Sequence, residues 1–231
     1  MTHRPPAVLT LTLAACLLLA APASARWYGS TLRDSPNAPY GCEAALTSAP
    51  LGGVQLSPSN QSSCTYRHGG YLNTGRPTFI VPGNGRIVRI RVKAGANPAI
   101  LRLTVLTGSS RVDTFSGRDV PGTYTCCTAR RVGKAFRPKA NAITTKKVNV
   151  PVQDVREKDI NYRIHSSDGL TLSASRAGSL PLHVRQSVGG FDSGTPIATG
   201  YWPATGKGDP RVDGYSMTGI DVLFQWDWRR R

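Results

Sequence analysis

Two stretches of alternating apolar and polar residues lie near the middle of the chain. In residues 85–93, three aliphatic side chains alternate with three cations: Val88, Ile90 and Val92 with Arg89, Arg91 and Lys93. In residues 101–106, Leu101, Leu103 and Val105 alternate with Arg102 and Thr104. Since successive side chains of a strand point to opposite faces, the pattern predicts two strands, each with one apolar face and one basic, solvated face. The Gly-Ala-Asn-Pro break at 95–98 predicts the turn of an antiparallel hairpin between them.

The rest of the chain favours the same class of structure. After residue 25, no window of a dozen residues has helical periodicity, and turn residues separate short apolar runs. Further strands are predicted at 78–81, 111–115, 124–129, 145–150, 159–165, 170–175, 182–186 and 220–228. Residues 189–219 are Gly-rich and are predicted to be loops. We therefore expect an all-β fold: a single jelly-roll-like antiparallel β-sandwich with long loops over residues 41–231, preceded by an extended lead-in over residues 26–40.

The chain is strongly basic. Its 231 residues include 29 Lys and Arg against 13 Asp and Glu, a formal net charge of +16. Such a balance suggests a polyanionic neighbour, such as nucleic acid, anionic lipid or an acidic wall polymer. The alternative is that the charge only keeps the protein soluble.

The N-terminus has the form of an export signal over residues 1–25. Arg4 precedes an apolar run at 7–21, and Ala23-Ser24-Ala25 has the small-x-small pattern of a cleavage site. The run is shorter than the roughly 20 residues of a membrane-spanning helix. A second interpretation is a lipoprotein box ending at Cys16, which would carry a lipid. Either way, we expect a secreted or envelope-associated protein, which removes intracellular nucleic acid as a partner.

Four cysteines follow the predicted signal: Cys42, Cys64, Cys126 and Cys127. An even number in an exported chain indicates disulfides. We predict the pair Cys42–Cys64, which closes a loop rich in Pro, Ser and Gly. Cys126 and Cys127 would then form a vicinal bond or stay reduced, although separate partners are possible if that segment is extended. No Cys-x-x-Cys motif occurs, and no metal site or other cofactor is predicted.

No set of catalytic residues stands out. Gly214-Tyr-Ser-Met-Thr-Gly219 resembles a nucleophile elbow, but Thr218 replaces the second glycine that the bend requires. The histidines His68, His165 and His183 have no metal-ligand spacing on one element. The candidates for binding are cations and loop aromatics: Arg89, Arg91, Lys93, Arg102, Tyr201, Trp202 and Tyr215. A second set predicts contact with a membrane or wall polymer: Trp226, Trp228, Arg229, Arg230 and Arg231.

Three segments together carry a family likeness. They are Pro82-Gly-Asn-Gly-Arg-Ile-Val-Arg-Ile-Arg-Val, Leu101-Arg-Leu-Thr-Val-Leu and Val150-Pro-Val-Gln-Asp-Val-Arg-Glu-Lys-Asp-Ile. In this order of strands, residues 75–228 resemble uncharacterised exported proteins of high-GC Gram-positive bacteria. The resemblance implies a jelly-roll-like sandwich and export, and it implies no activity.

The function predicted from these features is a non-catalytic module that binds a polyanionic or glycan surface through its basic strand faces and loop aromatics. One alternative is a secreted hydrolase of carbohydrate or cell-wall polymer, with an Asp/His site assembled from loops. Another is a structural surface protein without a ligand. The position of the cations relative to the sheets is the feature that distinguishes these three hypotheses.

Overall fold

The computed structural model describes residues 27–38, 41–42, 44–48, 54–58, 63–71, 80–113, 125–158, 162–175, 178–184, 196–201 and 215–230. These residues form strands and connections and contain no helix, so the predicted all-β class is confirmed. Accordingly, no helix in this part of the chain is long and apolar enough to span a bilayer. The predicted signal at 1–25, with Cys16, lies outside the described residues.

Fifteen strands are present in this part of the chain, all paired antiparallel. The first eight are β1 (Trp27–Gly29), β2 (Ala44–Ser48), β3 (Val54–Pro58), β4 (Ser63–Tyr71), β5 (Gly85–Lys93), β6 (Leu101–Asp113), β7 (Thr125–Val132) and β8 (Ile143–Val152). The others are β9 (Asp154–Lys158), β10 (Tyr162–Ser175), β11 (Leu182–Val184), β12 (Pro196–Tyr201), β13 (Tyr215–Thr218), β14 (Ile220–Val222) and β15 (Phe224–Arg230).

Two larger sheets make up the sandwich. The first sheet has the strand order β1-β15-β5-β8, and the second has the order β13-β12-β4-β10-β6-β7, with β9 also paired to β10. Two small sheets, β2-β3 and β11-β14, complete the set. The result is a pair of sandwich-like antiparallel sheets.

The core lies between the two larger sheets. From the first sheet it receives Ile87, Ile90 and Val92 of β5 and Phe224 and Trp226 of β15. From the second sheet it receives apolar side chains of β4, β6 and β10: Cys64, Tyr66, Leu101, Leu103, Leu170, Leu172 and Ala174. Burial of these side chains, each worth about 1.5–3 kcal/mol for the larger aliphatic and aromatic ones, is the main force that holds the sheets together.

The predicted hairpin at the centre of the chain is wrong. Strands β5 and β6 form where the alternation predicts them, but β5 pairs with β15 and β8, whereas β6 pairs with β10 and β7. Residues 95–98 therefore cross from one sheet to the other. The two apolar faces meet across the core as opposing layers and not as neighbours in one sheet.

A β-bulge changes which residues of β5 face the core. Ile87 pairs with Trp228 and Arg89 with Asp227, so Val88 is the extra residue. Consequently Ile87 is buried, while Val88, predicted to lie on the apolar face, is half-buried. Thr104 on β6 also departs from the alternation, because it is buried and not solvated.

Several strands differ in extent from the prediction. Residues 162–165 and 170–175, predicted as parts of two strands, belong to one long strand, β10, and 159–161 lie outside the described residues. The predicted strand 220–228 is divided into β14 and β15 at Leu223. The predicted loop 189–219 contains β12 and β13. Within the expected lead-in over 26–40, β1 pairs with β15 and so belongs to the first sheet.

Candidate functional site

Three of the predicted binding cations share one surface. Arg89, Arg91 and Lys93 alternate with the buried residues of β5 and lie on the side of the first sheet that faces away from the core. Arg102 is exposed but lies on β6, in the second sheet. The structure therefore brings together three of these four cations.

Register pairing extends this surface across neighbouring strands. Arg89 is opposite Lys147 of β8, and Arg86 is opposite Arg229 of β15. We define the basic face as six cations on the outer side of the first sheet: Arg86, Arg89, Arg91, Lys93, Lys147 and Arg229. Sequence reasoning missed Arg86, Lys147 and Arg229 as part of one surface, because nothing local to these residues indicates which strands are neighbours.

Trp27 lies against the basic face from the edge strand β1. The guanidinium carbon of Arg91 is 4.1 Å from the centroid of its ring, and that of Arg89 is 5.2 Å away. Both distances are within the range of cation–π attraction. This contact orients the two arginines and leaves their charge in place. Nothing in the sequence around Trp27, which lies in the predicted lead-in, indicates this role.

Asp227 is the acid that the register places within the basic face. Its Oδ2 accepts hydrogen bonds from Nε of Arg89 at 2.9 Å and from Nη2 at 2.6 Å. The Asp227 side chain is 1% exposed and the Arg89 side chain is 32% exposed. Arg89 is thus neutralised within the protein, and it is the weakest of the six cations as a ligand-binding residue.

The other cations of the basic face form no ion pair within the described part of the chain. The ammonium of Lys93 donates to the carbonyl oxygens of Leu32 and Arg33, both at 3.2 Å. Arg86 donates to Oδ1 of Asn149. Neutral acceptors hold these side chains in place without cancelling their charge.

The predicted loop aromatics are on the other sheet. Tyr201 is the last residue of β12, and Tyr215, the first residue of β13, is opposite Gly200. Trp202, and the side chains of both tyrosines, are not in the part of the chain that the structure describes. The backbone brings Tyr201 and Tyr215 close together at the β13 edge of the second sheet, but not into the same sheet as the cations of β5.

Two aromatics expected at a membrane surface belong to the interior. Trp226 is 1% exposed and stacks on Tyr28, with ring centroids 4.6 Å apart. Trp228 packs partly buried against the core, and its Nε1 donates to the carbonyl oxygen of Gly83 at 3.2 Å. The expectation is corrected for these two rings, because the inward face of β15 buries them. Arg229 and Arg230 are exposed, and Arg231 lies outside the described residues.

The predicted disulfide Cys42–Cys64 is confirmed. Its Cα atoms are 5.4 Å apart, and both residues are fully buried. Cys126 and Cys127 are consecutive residues of β7, and their side chains lie outside the description.

An open pocket of about 440 Å³ lies between the edge strands β7 and β8. Its aliphatic walls come from both sheets: Leu103 and Val105 of β6, Val132 of β7 and Val150 of β8. Two consecutive arginines, Arg130 and Arg131, also line it. We call this cavity the seam pocket. The sequence shows these arginines only as the start of a basic stretch, without the pocket beside them.

Arg130, which lines the seam pocket, also belongs to a polar cluster around Asp168. This carboxylate is 1% exposed and accepts from Nη2 of Arg130 at 2.6 Å, from Oγ1 of Thr107 at 2.7 Å and from the backbone N–H of Gln153 at 2.7 Å. Nη2 of Arg130 also reaches the carbonyl oxygen of Pro151 at 3.3 Å. Arg130 therefore links β7 to β8, and its main role is structural.

A buried cluster of Ser30, His68 and Asp221 has catalytic residue types in a non-catalytic order. Ser30 donates to Oδ2 of Asp221 at 2.7 Å, and Nε2 of His68 lies 2.9 Å from Oδ1 of the same carboxylate. A nucleophilic triad needs the histidine between the serine and the acid, so that it can take the hydroxyl proton. Here the aspartate is central, and all three residues are at most 2% exposed, which gives the cluster a structural role.

Within the described residues, no group of three or more His, Cys, Asp or Glu side chains is placed to hold a metal ion. Burial raises the pKa of Tyr66, since the phenolate is poorly solvated in the core.

No protein-family model, curated protein or solved structure matches the chain.

Proposed function

We propose that the protein is an exported, non-catalytic module that binds an anionic polymer through the basic face. The observation that carries the proposal is the imbalance of charge on this face. Among the residues that the structure describes, the one carboxylate that pairs with these six cations is Asp227, which is buried and bonded to Arg89.

The spacing of the cations suits a polymer better than a small anion. Residues two apart on one face of a strand are roughly 7 Å apart, and neighbouring strands are about 4.8 Å apart. Arg91 and Lys93 on β5 and Lys147 on β8 therefore form part of a flat grid of positive charges. An extended chain with regularly repeated anionic groups would contact several of them at once, whereas a single phosphate or carboxylate would contact one or two.

Fixed side chains support the same proposal. Trp27 holds Arg91 in place, and the carbonyl oxygens of Leu32 and Arg33 hold Lys93. Side chains already ordered in the free protein lose less conformational entropy on binding, about 0.5–1.5 kcal/mol for each long side chain. The basic face is therefore partly preorganised.

Export is the second part of the proposal. The apolar run at 7–21 has the form of a signal peptide, and the Cys42–Cys64 disulfide suits an oxidising compartment. An acidic wall polymer or acidic glycan is then the class of polyanion that the protein would meet.

The test measures binding to heparin, a soluble polyanion, and to purified Gram-positive cell wall at low and high salt. The variant removes three cations of the basic face: Arg91→Gln, Lys93→Gln and Lys147→Gln together. The matched control removes three exposed cations from the connection between β7 and β8: Lys134→Gln, Arg137→Gln and Lys139→Gln. Both variants lose the same net charge.

We expect the native protein to bind both probes at low salt and to release them at high salt, because salt screens exposed charges. The face variant should bind at least tenfold more weakly, and the control variant within about twofold of the native protein. Equal losses in the two variants would mean that only net charge matters. That result, or no binding at low salt, would overturn the proposal.

A further inference from the structure

The seam pocket has features of a small-molecule site that the proposed function does not use. Its volume of about 440 Å³ is within the range of roughly 300–1,000 Å³ for such sites. It also lies between the edge strands of the two sheets, on the inner side of β8, whereas the basic face lies on the outer side of the same sheet.

The chemistry of the walls selects the kind of molecule. Leu103, Val105 and Val150 offer only aliphatic carbon, and no aromatic ring is among the described residues that line the pocket. An unbranched alkyl chain is the group that such walls would shield from water, at about 0.8 kcal/mol for each methylene buried.

The two arginines indicate which charged group a ligand with such a chain would carry. Arg131 is exposed, is opposite Val105 in the register of β6 and β7, and has no carboxylate contact in the described residues. Arg130 beside it is paired with Asp168, yet its Nε is buried and has no hydrogen-bond partner among the described residues. A guanidinium binds a carboxylate or a phosphate with two parallel hydrogen bonds, and a single unpaired guanidinium balances the single charge of a carboxylate.

We infer that the seam pocket binds an alkyl carboxylate, with the chain against the aliphatic walls and the carboxylate at Arg131. The competing explanation is that Arg131 is an inward-pointing charge that prevents the β7 edge from pairing with another molecule. The two explanations differ in whether the native protein binds a ligand, and in what happens when the charge is removed.

The test uses sodium decanoate, titrated by calorimetry and followed by NMR of the Leu and Val methyl groups in the full-length folded protein. Acetate supplies the head group without the chain, and 1-decanol supplies the chain without the charge. Three variants are compared: Arg131→Gln, Val150→Trp, which places a large ring in the pocket, and Arg102→Gln, which removes an exposed cation from β6 outside the pocket. Thermal unfolding confirms that each variant is folded.

We expect saturable binding of decanoate, with the largest methyl shifts at Leu103, Val105 and Val150. Binding should be about tenfold weaker in Arg131→Gln, lost in Val150→Trp and unchanged in Arg102→Gln. Acetate should not bind measurably, and 1-decanol should bind at least tenfold more weakly than decanoate.

Several results would overturn the inference. They are no saturable binding of decanoate, shifts confined to other methyl groups, equal binding of decanoate and 1-decanol, or equal affinity in Arg131→Gln and the native protein. If the native protein binds no decanoate and Arg131→Gln self-associates, Arg131 protects the edge. If Val150→Trp fails to fold, Arg131→Gln and the two partial ligands still decide the question. Because none of these variants changes the basic face, the outcome is independent of the polyanion test.

Discussion

Arg89 and Asp227, which are 138 residues apart in the chain, form a side-by-side pair on the outer side of the first sheet, with both hydrogen bonds ending on Oδ2 of the aspartate. The aspartate is buried and the arginine is one-third exposed. The pair therefore joins β5 to β15 and also lowers the charge of the basic face.

Removal of one partner should cost more than removal of both. Arg89→Ala leaves the Asp227 carboxylate buried and unpaired, and we expect a loss of about 3 kcal/mol in the free energy of unfolding. The double variant Arg89→Ala/Asp227→Ala should be more stable than Arg89→Ala alone. Urea unfolding of the native protein, both single variants and the double variant measures the coupling. Strictly additive losses would show that the pair contributes no coupling energy.

The Cys42–Cys64 disulfide should stabilise the native protein mainly by restricting the unfolded chain. It joins residues separated by 22 positions, for which the chain-entropy model gives about 3 kcal/mol. The variant Cys42→Ser/Cys64→Ser should lose a comparable amount in urea unfolding. Dithiothreitol should destabilise the native protein and have a much smaller effect on this variant. Equal stability of the two proteins without reductant would contradict the prediction.

A row of buried hydroxyls crosses the second sheet. The hydroxyl oxygen of Ser173 on β10 lies 2.7 Å from that of Thr65 on β4 and 2.8 Å from that of Thr104 on β6. Ser173→Ala removes the central member and takes one hydrogen-bond partner from each of the two flanking hydroxyls. We expect a loss of about 1–3 kcal/mol in the free energy of unfolding. Thr145→Ala, at an exposed position of β8, is the control and should change this quantity by less than about 0.5 kcal/mol.

Tyr66 should make the protein less stable in alkali. Burial raises its pKa in the folded protein above the unfolded value of about 10. Below about pH 10, Tyr66 is protonated in both the folded and the unfolded protein, so its ionisation does not lower the free energy of unfolding. As the pH rises above 10, the unfolded state loses the proton more readily, so stability falls.

The comparison with Tyr66→Phe isolates this effect, because phenylalanine does not titrate. Urea unfolding at pH 8 and at pH 10.5 should show a smaller loss of stability in the variant than in the native protein. An identical pH dependence in the two proteins would show that Tyr66 does not contribute to alkaline unfolding.

The sequence predicted local structure better than the relations between strands. The alternation at 85–93 and 101–106 reveals two strands because the side-chain period is a local property of an extended backbone. It does not reveal that Gly85–Lys93 pairs with Phe224–Arg230, since cross-strand pairing depends on residues far away in the chain. A Gly and Pro break indicates a turn, but it does not show whether the chain stays in the same sheet.

The same limit applies to the candidate sites. The cations of β5 could be predicted to share a face, whereas Lys147 and Arg229 could not, because they reach this face only through pairing. The bulge at Val88 has no signal in the sequence, and it decides that Ile87 is the buried residue. The seam pocket depends on the distance between the edges of two sheets, and no single segment of the sequence determines that distance.

The place of β15 within the first sheet has a consequence for how the protein acquires its structure. This strand, residues 224–230, lies between β1 near the beginning of the chain and β5 near its middle. Until β15 is available, β1 has no strand through which it can join β5 in this sheet. Assembly of the first sheet therefore depends on pairings between segments far apart in the chain, and such pairings form slowly. A polypeptide of this kind would remain incompletely paired for longer than one whose neighbouring strands follow each other in sequence.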